Sequence, residues 1–324
     1  MSYPVAGTQF PSGSSAPSPA YSGTFIPEIW SGKLIEKFYS STVLAAISNT
    51  DYEGEISSQG DKVIIRTKPT ITIRDYEAGQ SLLVERPSSN VVELLIDKGK
   101  YFNTILDDVM EVQADVNLMS MWSDDSGEQM KIVIDTDVLG GILGQPVAAN
   151  RGATAGVISG DINLGATTAP VALTARNPGA GEVEIIDLLL RMGQVLDEQN
   201  IPETGRWVVM PAWAATMIKR SELRDASLTG DGASILRNGR LGMIDRFTLY
   251  SSNLLPNGSH ASLAAGEFAI YAGHSHALTF ASQMTKMETL RSESTFGTIM
   301  RGLQVYGYKV VDGVALSQAV VTKA

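Results

Sequence analysis

Two histidines and a serine stand together at Gly273-His274-Ser275-His276-Ala277, the segment whose side chains are best suited to chemistry. The pattern matches part of the nucleophile elbow of hydrolases, in which a strained strand-to-helix turn exposes a serine. The residues that follow, 278–281, alternate as in a strand, and beyond His276 the chain has no histidine to act as general base. We therefore expect a structural turn here, with a serine hydrolase acting through Ser275 as a remote alternative.

Metal and phosphate sites are also poorly supported by the residue pattern. His260, His274 and His276 are the three histidines of the chain, and a His-x-His pair without nearby carboxylates is a weak ligand set. The absence of cysteine removes thiolate ligands and cysteine nucleophiles. Gly230-Asp231-Gly232 lacks the lysine of a phosphate-binding loop, so it indicates an ordinary loop. We therefore expect a protein that is not an enzyme and that holds no cofactor and no metal.

The longest element that the sequence predicts is a helix over residues 105–143, a stretch without proline. Its apolar residues recur at spacings of three and four: Ile105, Val109, Val112, Val116, Met119, Met130 and Val133. Asp107 and Asp108 would lie in its first turn, and Gly140-Gly141 would end it. Such a helix is about 50 Å long and would form the spine of the subunit. Gly127 predicts a thin spot or a kink.

Several carboxylates fall within this predicted helix, and their spacing favours a solvated face over an acid–base pair. They are Asp124, Asp125, Asp135 and Asp137. Ser123 and Ser126 interrupt the apolar stripe, which weakens a coiled-coil seam. We therefore expect a spine within one subunit, with self-association through this helix as the alternative.

Residues 61–76 and 90–98 alternate apolar and polar side chains and are rich in β-branched residues, which predicts two long strands. Pro69 restricts the first strand to an edge position. The segment between them, residues 77–89, is polar, so residues 61–98, here called the excursion, predict a long hairpin. A two-stranded hairpin is marginal alone in water. The excursion has no evident partner in its own subunit, and a neighbouring subunit is one candidate support.

The remaining elements are of mixed type and do not alternate regularly, which indicates an α+β fold and not a doubly wound sheet. Residues 1–23 are uncharged and rich in proline, serine and glycine, which predicts a flexible arm. A short amphipathic helix follows over residues 27–39, for docking or for ordinary packing. Further helices are predicted over 182–199 and 211–220, a loop over 223–240, and strands over 206–210, 241–250, 267–271, 278–281 and 303–321, the last divided into a hairpin by Asp312-Gly313.

The charge of the chain limits its partners. A net charge of −10 and a pI near 4.9 argue against tight wrapping of nucleic acid, although an acidic protein can surround DNA without binding it. Solubility alone is the other explanation of the charge. The sequence shows no secretion leader and no apolar run long enough to span a membrane, so we expect a cytoplasmic location in the producing cell and no membrane partner.

The order of these elements resembles that of the major capsid proteins of tailed double-stranded DNA phages, which have the Hong Kong 97-type fold. Specific stretches are similar to one branch of that family, and the resemblance covers about residues 25–320. The stretches are residues 50–56 (TDYEGEI), 71–76 (ITIRDY), 97–102 (DKGKYF), 135–139 (DTDVL), 226–232 (ASLTGDG) and 301–308 (RGLQVYGY).

The resemblance implies an α+β subunit with an N-terminal arm, an extended β-hairpin E-loop, a long spine helix, and peripheral and axial domains. The implied boundaries are 1–54 for the arm with its short helix, 55–103 for the E-loop, 104–200 for the peripheral domain with the spine helix, 201–285 for the axial domain and 286–324 for the terminal strands of the peripheral domain. It also implies self-assembly into pentamers and hexamers of an icosahedral shell in the virion, built in the host cytoplasm with scaffolding and portal proteins. DNA would be enclosed without sequence-specific binding.

Charged residues of the excursion are then the candidate contacts between subunits. They are Arg66, Lys68, Arg74, Glu77 and Arg86, which stand among acidic neighbours in a balanced set that suits ion pairing with another subunit. A bacterial encapsulin, which is a shell of similar fold that packages enzymes, is the alternative function.

Overall fold

The computed structural model describes residues 40, 42–51, 62–66, 69, 71–87, 91–113, 117–221 and 242–324. The helices are α1 (Leu44–Ile47), α2 (Asp108–Gln113), α3 (Leu118–Ile142), α4 (Ile185–Glu198) and α5 (Ala212–Arg220), with a 3-10 turn at Ala148–Asn150. The strands are β1 (Lys62–Arg66), β2 (Val91–Leu95), β3 (Lys98–Asp107), β4 (Val171–Thr174), β5 (Glu182–Glu184), β6 (Arg206–Met210), β7 (Met243–Ile244), β8 (Phe247–Ser251), β9 (Glu267–His274), β10 (Leu278–Arg291), β11 (Gly297–Val310) and β12 (Leu316–Lys323).

A seven-stranded mixed sheet, in the order β5-β4-β12-β9-β6-β8-β7, forms the larger layer of the fold. Its two faces are covered by different helices. Val208 and Met210 on β6 pack in one cluster with α4 and α5, whereas Trp207 and Val209 pack in another with the C-terminal part of α3. A strand covered on both faces has no polar side, which is why the run RWVVM is buried throughout and was recognisable as a core strand.

A second sheet of three antiparallel strands, in the order β10-β11-β3, carries α3 on one face and the β1–β2 pair on the other. Neighbouring residues of a strand point to opposite faces. Tyr306 on β11 accordingly contacts α3, while Val305 packs with Leu94 and Ile96 beneath β1 and β2. The three-stranded sheet is therefore the layer that joins the excursion to the spine helix.

The base of the excursion is an antiparallel pair, with Lys62 opposite Leu95 and Arg66 opposite Val91. Ile65 and Leu94 are buried against Ala281 of β10. The prediction that the excursion lacks a partner in its own subunit is thus wrong for its base. The strands are also shorter than predicted, because residues 71–87 form no regular strand.

The predicted spine helix begins too early. Ile105 and Asp107 belong to β3, where they pair with Ile299 and Gly297 of β11. The helical residues form two segments, α2 and the longer α3, and α3 runs unbroken through Gly127. The described part of the chain contains no helix long and apolar enough to cross a membrane.

The predicted hairpin at Asp312-Gly313 is also wrong. The turn exists, and Asp312 accepts a hydrogen bond from the backbone N–H of Val314 at 2.9 Å. However, β11 belongs to the three-stranded sheet and β12 to the seven-stranded sheet, so the turn passes the chain from one sheet to the other. The predicted arm, the short helix over residues 27–39 and the loop over residues 223–240 lie outside the described residues.

Candidate functional site

The histidine-serine segment forms a tight turn between β9 and β10. The backbone N–H of Ala277 donates to the carbonyl of His274 at 2.9 Å, and the imidazole Nδ1 of His274 accepts from the N–H of His276 at 3.1 Å. The imidazole of His274 thus stabilises its own turn, and a strand follows, as the sequence predicted. Within the described residues, no group of three or more histidine or acidic side chains is arranged to hold a metal ion.

The excursion beyond its base is the most exposed part of the described chain. Every residue from 71 to 87 is exposed, including Ile73 at 90% and Val84 at 91%. A turn closes its end: Gln80 N–H donates to the carbonyl of Glu77 at 3.1 Å, and Gly79 has a φ of +91°, which favours glycine. Branched aliphatic side chains left in water on a protruding segment mark a surface that another molecule covers.

The candidate contact residues lie where such a surface would use them. Arg66 ends β1 with its side chain exposed, and Arg74, Glu77 and Arg86 lie in the exposed segment. Lys68 lies outside the described residues. Arg74 and Arg86 are both exposed, and neither forms an ion pair with any described residue. The two sides of the segment are joined by contacts of 3.4 Å from Thr72 to the Glu85 carboxylate.

The base of the excursion is anchored to α3 by a polar cluster. Lys98 Nζ donates to Asp137 Oδ2 at 2.8 Å and to Tyr308 Oη at 3.0 Å. Tyr306 Oη donates to the same carboxylate at 2.9 Å, and Tyr308 Oη donates to the carbonyl of Asp137 at 3.2 Å. Tyr308 fits because Gly141 has no side chain: a Cβ there would lie 1.8 Å from its hydroxyl oxygen.

The electrostatics of this cluster favour the ionised pair. Partial burial of Asp137 works against its charge, but the hydrogen bonds from Lys98 and Tyr306 outweigh it and lower the pKa of Asp137. Burial likewise disfavours charge on Lys98, yet its bonds to Asp137 and Tyr308 raise the pKa of the amine. The cluster therefore ties strand β3, strand β11 and helix α3 together through one carboxylate.

We expect Asp137→Asn to lower the free energy of unfolding of the unassembled subunit by about 1–2 kcal/mol at pH 7, because it removes a charge-assisted contact. The depressed pKa of Asp137 means that its contribution is present above the carboxyl's unfolded value and is lost as the pH falls through the folded one. The difference in unfolding free energy between wild type and variant should therefore become smaller below about pH 4.

Urea unfolding at pH 7, 5 and 3 measures this gap. Asp124→Asn is the matched control, since Asp124 is exposed on the same helix. A gap that stays constant down to pH 3, or an equal loss in the control, would contradict the assigned role of Asp137.

A second carboxylate of α3, Asp135, holds the segment that precedes the excursion. It is 2% exposed and accepts hydrogen bonds from the backbone N–H groups of Val43 at 2.7 Å and Leu44 at 3.2 Å. Burial raises the pKa of this carboxyl, and the two N–H groups only partly offset the burial. The prediction of a solvated face is thus wrong for Asp135 and Asp137, which connect α3 to distant segments.

These anchors were missed because their partners are remote in sequence. One signal was available: Lys98, Asp137 and Tyr306 each fall within a stretch that carried the resemblance, namely residues 97–102, 135–139 and 301–308. These three stretches are far apart in sequence, and the fold brings them into contact at the Asp137 cluster.

The comparisons with known proteins agree on one kind of protein. A family model described as "Phage capsid protein" matches residues 93–319. A solved structure from Mycobacterium phage Che8 is 26% identical, with 91% of this chain and 96% of that chain covered and a TM-score of 0.71. The capsid of cyanophage P-SCSP1u is 16% identical, with 93% and 94% covered and a TM-score of 0.70.

A third solved structure shows the same likeness. The capsid of a native GTA particle is 13% identical, with 96% of this chain and all of that chain covered and a TM-score of 0.65. At that identity the likeness concerns the fold. No curated protein sequence matches the chain.

Proposed function

The chain belongs to the phage capsid protein family, whose model spans residues 93–319, and on that premise we propose that its copies form the pentamers and hexamers of an icosahedral shell around phage double-stranded DNA. As a family member it is a structural shell protein of the virion, with the Hong Kong 97-type fold. The exposed segment at residues 71–87 is the observation that supports this assembly mode, because the described part of the subunit leaves its apolar and charged side chains exposed.

We propose the corresponding domain organisation as well. Residues 55–103 would form the E-loop, 104–200 and 286–324 the peripheral domain, and 201–285 the axial domain, after an arm at residues 1–54. Four neighbouring strands of the larger sheet, β9, β6, β8 and β7, come from residues 201–285, and the spine helix comes from 104–200. Assembly in the host cytoplasm with scaffolding and portal proteins belongs to this proposal.

The direct test is expression of the chain alone, followed by negative-stain microscopy and sedimentation. We expect closed particles or capsomer-sized oligomers. Only small species at all concentrations would overturn self-assembly by the chain alone. The encapsulin alternative would be favoured by particles that contain a co-purified enzyme and do not take up DNA when the phage packaging machinery is supplied.

Charge reversal in the excursion tests how it contacts its neighbour. We expect Arg74→Asp with Arg86→Asp to leave the unfolding free energy of the subunit within about 0.5 kcal/mol, since both side chains are exposed. The yield of closed shells should fall, and the remaining shells should be more sensitive to salt, because each weak contact repeats at every equivalent interface. Sedimentation at two salt concentrations measures both effects.

Lys309→Asp with Lys323→Asp is the control, because it changes the net charge equally at exposed positions outside the excursion. If the excursion variant assembles as well as this control at both salt concentrations, the prediction of an electrostatic contact between subunits is wrong. If it unfolds as a subunit, residues 71–87 contribute to the subunit's own stability.

A further inference from the structure

The loop between Ala155 and Ile162 holds two aliphatic side chains in solvent. Val157 is 56% exposed and Ile158 is 80% exposed. The two ends of the loop are closed by reciprocal backbone hydrogen bonds between Ala155 and Ile162, at 2.8 and 3.1 Å. Single exposed apolar residues are common on protein surfaces. What sets this pair apart is the structure that holds it.

One carboxylate fixes the tip of the loop. Glu198, the last residue of α4, accepts from the backbone N–H of Ile158 at 2.8 Å, from the N–H of Ser159 at 3.2 Å and from Ser159 Oγ at 2.8 Å. Gln194, one turn earlier on α4, donates to the same carboxylate at 3.1 Å. Three hydrogen bonds therefore hold the loop tip, and the fourth orients the Glu198 carboxylate that accepts them, although the side chains of Val157 and Ile158 are exposed.

The glycines on either side of the pair make this geometry possible. Gly156 has a φ of +98°, and a Cβ there would lie 2.2 Å from Ser159 Oγ and 2.9 Å from Glu198 Oε2. Gly160 has a φ of +64°. The sequence GVISG, together with Glu198, therefore encodes a rigid mount for Val157 and Ile158. A contact that is already rigid loses little conformational entropy on binding, which is the advantage of a preorganised anchor.

We propose that Val157 and Ile158 form an anchor that inserts into a groove on a second copy of this chain, an inference that rests on the proposed function. The groove lies where α1, α3 and β10 meet and has a volume of about 330 Å³. Its apolar lining comes from Leu44, Ala45, Ile134 and Phe280.

The charges of the groove suit an uncharged occupant. Two ionisable side chains line it, and both already have partners: Asp135 accepts from two backbone N–H groups, and Lys131 forms an ion pair with Glu128. An aliphatic anchor can enter without leaving a buried charge unpaired, which would be costly. A charged or strongly polar occupant would find no free ionised partner in this lining.

The anchor and the groove are different surfaces of one chain, so their contact joins subunits head to tail. Such heterologous contacts close into rings when the rotation between subunits allows it. A ring of five or six copies needs a contact of this kind. The anchor would therefore act within a capsomer, separately from the excursion.

The chain has no cysteine, so introduced cysteines can be assigned without ambiguity. We expect the double variant Ile158→Cys with Ala45→Cys to form disulfides between subunits on mild oxidation of assembled particles or capsomers. A denaturing gel without reductant should then show a ladder of covalent multimers that ends at the ring size. Each single variant should remain monomeric on the same gel.

Two outcomes would overturn the proposed anchor contact. In the first, oligomers form but the double variant cross-links no more than the single variants do. In the second, Ile158→Cys alone gives disulfide-linked dimers, which would mean that two anchors contact each other. The proposed function fails differently, through the absence of particles from the wild-type chain. In that case the same cross-linking in capsomer-sized oligomers would still support the anchor, and its absence from all species would overturn it.

A second measurement separates the contact from folding. Val157→Ser with Ile158→Ser should leave the urea midpoint of the subunit unchanged, because both side chains are exposed, and should reduce particle yield about tenfold or more. Glu198→Gln keeps both aliphatic side chains but weakens the mount, so a smaller reduction is expected. Leu190→Ser, at a position 48% exposed on α4, is the control. Equal yields from the double serine variant and this control would also overturn the proposal.

Discussion

Val138→Pro is expected to abolish the folded subunit. Val138 is fully buried near the C-terminal end of α3, within the cluster that joins this helix to the seven-stranded sheet. Proline there removes a helical N–H and clashes with the carbonyl of Ile134 one turn earlier, at a cost of about 3 kcal/mol or more. The displaced helix would also disturb the contacts of Asp135 and Asp137, so the total loss approaches the full stability of a domain.

Soluble yield and far-ultraviolet circular dichroism measure this effect. Val138→Ala should stay folded with a loss of about 1.5–3 kcal/mol, since it deletes buried methyl groups without breaking the helix. Leu118→Pro is the matched control for proline itself, because Leu118 is the first residue of α3 after the capping Asn117, a position that tolerates proline. If Val138→Pro has the same melting temperature as wild type, an intact helix α3 is not required for the subunit to fold.

The long helix could be predicted from sequence, but its beginning could not. Ile105 satisfies both the three-four spacing of the helix and the alternation of the strand that precedes it. Ile105 lies in a strand because it pairs with Ile299 of β11, which is almost two hundred residues further along the chain. Local patterns contain no information about that pairing, and tertiary contacts routinely override propensity.

The same limit applies to the turn at Asp312-Gly313. Its local chemistry was predicted correctly, because an aspartate followed by glycine favours a tight turn in most settings. Whether the next strand pairs with the previous one is a property of the whole sheet. Here β12 pairs with β9 and β4 instead, so a correct turn gave an incorrect hairpin.

The polar anchors show the limit most clearly. Asp135 and Asp137 lie two residues apart on a helix, where charged residues are usually solvated. Their partners Val43 and Tyr306 are 92 and 169 residues away, so spacing along the helix could not reveal them. By contrast, the exposure of the excursion's tip agrees with the polar tip that the sequence predicted, although its exposed side chains also include Leu82, Leu83 and Val84.

Gly307→Ala is expected to detach the excursion from the subunit. Gly307 is a buried residue of β11, and a Cβ there would lie 2.0 Å from the carbonyl oxygen of Leu95 and 2.9 Å from its carbon. Both are backbone atoms, so no side-chain rotation relieves the clash, and the base of the excursion must move away from β11. Overpacking of this kind costs about 1–3 kcal/mol, and sometimes more.

Gly99→Ala provides the matched control in the adjacent strand of the same sheet. The nearest atom to a Cβ at Gly99 is Val305 Cγ2 at 4.0 Å, an ordinary contact, so this variant should melt close to wild type. Differential scanning calorimetry of the unassembled subunits compares the two variants directly.

The effect of Gly307→Ala on shells should exceed its effect on the subunit. The Thr72–Glu85 contacts join the two sides of the segment 71–87. The direction in which this segment projects is therefore set mainly at the base of the excursion, where Leu94 and Ile96 pack on β10 and β11. A displaced base changes the position of all exposed side chains that would meet the neighbouring subunit. We therefore expect few or no closed shells from Gly307→Ala at temperatures where its subunit remains folded. Shell yields equal to those of Gly99→Ala would show that the contact of Leu95 with Gly307 does not direct the excursion.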